Sequence, residues 1–167
     1  MGRSRWIVLP IVITIMFLCA CSSSGREAQE NAFKAAEKEF QSGQEKPNRH
    51  NKHIEYYLPF GFEKDKETPN NILLKNGSKK YILFYNSHEK PESKVVYESS
   101  FQQLKKWDLN KTFEKDGKFG YMLSKEQKDG VYQVVVGIGG IKVTTETSSP
   151  ESDAPIMMKI AHSASIK

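Results

Sequence analysis

Cysteine is almost missing from this chain: there are two, Cys19 and Cys21, separated by one alanine and both near the N-terminus. None follows Cys21, so the folded part cannot close a disulfide and must rest on its hydrophobic core. Long apolar runs are equally scarce. The one near the N-terminus, Trp6 to Ala20, would span only ~22 Å as a helix, short of the roughly 30 Å hydrocarbon core of a bilayer. A lasting charge bias is absent too, since 25 Lys and Arg stand against 20 Asp and Glu. That balance excludes the strongly basic footprint of a nucleic-acid binder. No internal repeat occurs, and no low-complexity tract beyond three serines at 22–24.

What is present near the N-terminus has an order of its own. Arg3 and Arg5 form a cationic tip, the apolar run follows, and it ends on small side chains, as secretory signals do. The box Leu18-Cys19-Ala20-Cys21 resembles the lipobox of bacterial lipoproteins, in which a leucine, two small residues and a cysteine are read by the lipidation machinery. This resemblance covers the first twenty-one residues. It implies that Arg3, Arg5, Leu18 and Ala20 serve signal recognition, that residues 1–20 are removed, and that a diacylglyceryl group is attached to the Cys21 sulfur. A redox or metal-binding Cys-x-Cys pair is the weaker reading, because one thiol would leave with the signal and the other would be alkylated. Two acyl chains, at ~0.8 kcal/mol per buried CH₂, would hold the protein on the extracytoplasmic face of the cell membrane. Cleavage leaves 147 residues and lowers the formal charge from +5 to +3. That is the size of one ordinary domain.

After the lipidated leader, 21–25, residues 26–42 predict a helix carrying Phe33, Ala36 and Phe40 on one stripe, either lying on the domain or serving as a stalk. Residues 43–53 are polar, broken by Pro47, and suggest a linker or loop. From 54 to 167 the pattern predicts an α+β domain: a twisted antiparallel sheet of five to seven strands with two or three helices. Its expected parts are a first strand at 54–58, then a hairpin around Asn76-Gly77 with a loop longer than two residues. A short strand at 94–97 and a short helix capped by Ser99 or Ser100 follow. A meander turns at Asp116-Gly117, Asp129-Gly130 and Gly137 to Gly140, and a final helix starts at Asp153 and Pro155. Val131 to Val136 is apolar on both faces, as a strand covered on both sides would be. The stretch LPFGF, Leu58 to Phe62, resembles the opening of PsbP-like small α+β domains, which also set helices on an antiparallel sheet.

Chemistry-bearing motifs are thin. His50 and His53 have H-x-x-H spacing but lie in a basic polar segment with no third ligand in view, which favours a solvated loop over a metal site. Gly137, Gly139 and Gly140 lack the Lys-Ser/Thr ending of a phosphate loop and read as a hairpin turn. His88 falls in a turn and His162 on the last helix, with no serine elbow for either to serve. Glu63, Asp65 and Glu67 alternate with lysines, which indicates solvated loop. Of the crowded aromatics Tyr56, Tyr57, Phe60, Phe62 and Trp107, most belong in a core and a minority could line a groove. No catalytic, metal or cofactor set is therefore assigned, and no nucleic-acid partner. The expectation is a lipid-anchored protein that binds an envelope protein or an anionic polymer. A carrier or sensor of a small apolar or anionic ligand is the alternative, and an unrecognised hydrolase ranks behind it.

Overall fold

The computed structural model describes residues 25–128 and 130–167. Cys21, Arg3, Arg5, Leu18 and Ala20 lie outside the described residues, as do the rest of the signal and Asp129. The described chain is α+β, with three helices and ten strands. Helix α1 covers 25–41. Short strands β1 (Arg49–His50) and β2 (Ile54–Tyr56) precede β3 (Phe62–Thr68), β4 (Asn71–Asn76) and β5 (Lys79–Tyr85). Helix α2 (Val95–Gln102) leads to β6 (Leu109–Lys115), β7 (Lys118–Lys128), β8 (Val131–Ile138) and β9 (Ile141–Thr147). Helix α3 (Pro150–Ser163) and β10 (Ser165–Ile166) end the chain. No helix among the described residues is long and apolar enough to cross a membrane.

Seven strands form an antiparallel sheet in the order β3-β4-β5-β9-β8-β7-β6. The connection from β5 to β6 jumps four places, and α2 crosses one face of the sheet on the way. The other face is covered by α1 and α3. On that face Tyr81, Leu83, Tyr85, Val134, Val136, Ile138 and Met122 join Ala32, Ala36 and Phe40 of α1 and Met157, Met158 and Ile160 of α3 in one core. Alanines at 32 and 36, fully buried, let α1 approach closely; the Phe40 ring then packs tilted against Phe113, with centroids 4.6 Å apart. The helix is thus part of the packed body and not a stalk. On the α2 face a smaller cluster of Trp107, Phe119, Tyr121, Leu123 and Val135 forms. Val134, Val135 and Val136 are all buried, two on one face and one on the other, as the two-sided apolar pattern predicted.

Several local expectations are corrected. The 76–79 hairpin is the tight two-residue form, since Asn76 pairs with Lys79 and Gly77 turns at φ +58, as the first position of a type II′ turn requires. The lysines beside it belong to the strands and not to the loop. Residues 62–68, expected as solvated loop, are the edge strand β3: only Phe62 is buried, and a bulge interrupts its pairing between Lys64 and Lys66. A charged, bulged edge resists pairing with other chains, and that is why it carries no apolar alternation. The segment 94–97 begins α2 instead of forming a strand; the Ser93 hydroxyl accepts from the Val95 N–H, while Ser100 sits inside the helix and donates to the Val96 carbonyl. Ile54–Tyr56 belongs to a separate three-stranded sheet with β1 and β10. Helix α3 begins at Pro150, earlier than expected, because Asp153 is used for something other than capping.

Candidate functional site

Asp153 is buried at the start of α3, where its carboxylate accepts from Lys79 Nζ at 2.7 Å, Tyr81 Oη at 2.9 Å and Thr147 Oγ1 at 2.5 Å. Burial and that carboxylate push the Tyr81 phenol well above its ordinary value. Every donor here is answered, so the cluster fastens α3 to β5 and β9.

The opposite end of α3 is built differently. There the turn Gly139-Gly140, with Gly139 at φ +52, lies directly under the segment 86–91. A Cβ on Gly139 would stand 2.3 Å from the Lys90 carbonyl oxygen, so only glycine permits this approach. The segment, the turn and the end of α3 enclose an open cleft of about 550 Å³. Its floor is apolar, made by Ile138, Ile141, Ala161, Ala164 and Ile166. Its rim holds His88, Glu89, Lys90, Lys118 and His162. Lys118 and His162 also wall a second recess of about 330 Å³ beside Phe40 and Lys115.

The rim is cationic. Lys118 Nζ lies 3.2 Å from His162 Nε2, which makes the lysine the donor to a neutral imidazole. Burial, then Lys118, holds the His162 pKa below its ordinary value; a backbone hydrogen bond to Glu39 opposes this and Lys115 adds to it. Among the described residues Lys118 has no carboxylate within ion-pair distance. The one acidic group of the rim, Glu89, is engaged by the Ser93 hydroxyl. An ammonium with only a neutral partner, beside an apolar floor, suits the head and body of an amphipathic anion.

The same groups do not assemble a nucleophile. Ser165 Oγ donates to Glu55 at 3.1 Å, Ser87 hydrogen-bonds neither histidine, and His162 is occupied by Lys118. Among the described residues no group of three His, Cys, Asp or Glu could hold a metal ion. His50 and His53 are exposed near β1 and stay apart from the cleft. Gly137 is a strand residue pressed on the Tyr121 ring, and Gly139 and Gly140 make the turn. Tyr56 and Phe62 are core, Tyr57 is half-buried, Trp107 belongs to the second cluster and Phe60 is fully exposed.

The convergence of His88, Lys90, Lys118 and His162 was not legible in sequence, because they come from three separate segments and share no spacing. The doubled glycine was the available signal. It marks a backbone that another segment must approach. No family model, no curated protein and no solved structure matches this chain.

Proposed function

We propose that this chain is a lipid-anchored binding protein of the bacterial cell envelope, tethered through a diacylglyceryl group on Cys21, and that its cleft receives a small amphipathic anion. The observation that carries the ligand reading is Lys118, an ammonium without a carboxylate partner among the described residues, at the edge of an apolar cleft of about 550 Å³. A carboxylate, phosphate or sulfonate head would take the Lys118 ammonium's donors while a short hydrocarbon or ring body lay on Ile138, Ile141 and Ala161. This is the carrier or sensor role, performed on the outer side of the membrane and without chemistry of its own.

Photolabelling tests it. A medium-chain carboxylate bearing a diazirine should cross-link to peptides containing residues 138–141 and 161–166, with free octanoate competing. A second reading, binding of an envelope protein, is favoured by the half-covered α2 face, where Ile82, Val95 and Phe101 are 45%, 50% and 43% exposed. Label confined to that face would favour it. The anchor is tested separately by the mass of the N-terminal peptide, expected to begin at a Cys21 carrying two acyl chains.

A further inference from the structure

Phe60 is the most exposed large apolar side chain among the described residues, at 103% of its reference area. Its position is built. Pro59, Phe60, Gly61 and Phe62 form a closed turn in which the Phe62 N–H donates to the Pro59 carbonyl at 3.1 Å and Gly61 takes φ +85, the type II geometry that needs glycine third. On either side the turn is pinned: Leu58 is buried, and Phe62 is buried with its ring 4.9 Å from Tyr81. A rigid tip therefore holds a whole phenyl ring in water, forgoing the stabilisation that its burial would bring.

The tip's place in the fold identifies what buries it. Phe62 pairs with Asn76, and Asn76 with Lys79 across the tight hairpin; Lys79 reaches Thr147, and Thr147 pairs with Tyr132. This row crosses the sheet at one end. The same end holds the start of α1, where the position of a Cβ on Gly25 falls 2.9 Å from the Tyr132 hydroxyl. Four residues of chain lead from Cys21 to Gly25, a reach of at most ~14 Å. A lipidated Cys21 would thus hold this end of the domain, and not the cleft end, close to the bilayer.

We infer that the Phe60 turn is a membrane-docking tip, which inserts into the interfacial region of the bilayer that carries the anchor and turns the cleft away from it. The inference rests on lipidation at Cys21. The interfacial layer is about 5–8 Å deep on each side, enough for one ring and not for the domain. Apolar aromatic side chains favour that layer.

The test uses the full lipidated protein in vesicles of phosphatidylcholine and phosphatidylglycerol, with Phe60→Trp compared against the unchanged protein, whose Trp107 is buried and serves as the blank. The emission added by the new tryptophan should fall roughly twofold with lipids brominated near the headgroup and resist aqueous iodide, as an interfacial ring does. Emission quenched by iodide and untouched by brominated lipid overturns the inference and leaves the anchor reading intact. Shielding from both quenchers that grows with protein concentration points to a second copy and also overturns it. An unmodified Cys21 thiol on the N-terminal peptide removes both readings together.

Discussion

Helix α3 ends on two charged clusters. At its start Asp153 takes three donors in a buried site, and the Lys79 charge is met at 2.7 Å. At its finish Lys118 meets only the neutral side of His162, at 3.2 Å, with Lys115 nearby and an open cleft in front. The first arrangement explains itself as a fastening, since desolvated charge is tolerated when each lone pair is used. The second explains nothing about stability. Lys118, without a carboxylate partner among the described residues, adds nothing to the stability of the fold, and the proposed ligand would supply that partner. Satisfied charge thus marks the fastening at the start of α3, and a lysine without a carboxylate partner among the described residues marks the proposed binding end.

Removing one member from each end separates the two roles. Asp153→Ala leaves a buried phenol, a hydroxyl and an ammonium without their acceptor, and should cost about 3 kcal/mol in urea unfolding. A loss under about 1 kcal/mol would show that the cluster fastens nothing. Lys118→Gln should change stability by no more than ~0.5 kcal/mol, because it relieves a cation–imidazole contact and opens no cavity. Its effect should appear in ligand affinity instead, as a loss of roughly tenfold for an anionic amphiphile, or ~1.4 kcal/mol.

The cleft end should also respond to pH through His162. His162 binds its proton more weakly in the folded chain than in the unfolded one, so acid favours unfolding. Its contribution to stability is complete above the ordinary value of 6.5 and is lost as pH falls from there toward the depressed folded value. The groups that face it are Lys118, Lys115 and the Glu39 carbonyl, with the Phe40 ring against it at 5.7 Å. His162→Gln should therefore flatten the stability profile over that window, and Lys118→Gln should flatten it partly by removing a repelling charge. An unchanged slope in both variants would mean that His162 titrates as a free histidine. Bound anion reverses the sign at this site, since it favours the imidazolium, so ligand affinity should rise in the same range where unliganded stability falls.

The sheet was legible in the sequence wherever one face is buried. Tyr121 and Leu123 alternate, Asp116-Gly117 turns, and Val134 to Val136 is apolar on two sides; each of these declares its place through side-chain periodicity. Strand β3 was not legible, because an edge strand with one buried residue, Phe62, and a bulge has no period to show. The start of α2 was hidden by Val95 and Val96, whose branched side chains suit strands, and tertiary packing of Val96 decided otherwise. In the cleft the reason is distance along the chain: Lys90, Lys118 and His162 meet only after the meander has folded. Phe60 shows the reverse case, a residue whose type was noted and whose exposure depended on the turn geometry that Gly61 permits.

The proposed cleft site must recognise charge and apolar surface together. Calorimetric titration of the lipidated protein in nanodiscs, with empty nanodiscs as blank, compares octanoate with octanol, which share a chain and differ in the anion. Saturable binding of octanoate with a negative heat-capacity change, little binding of octanol, and a Lys118→Gln variant that treats the two alike are expected. Octanoate heats no larger than those of octanol, or octanoate affinity unaltered by Lys118→Gln, would contradict it.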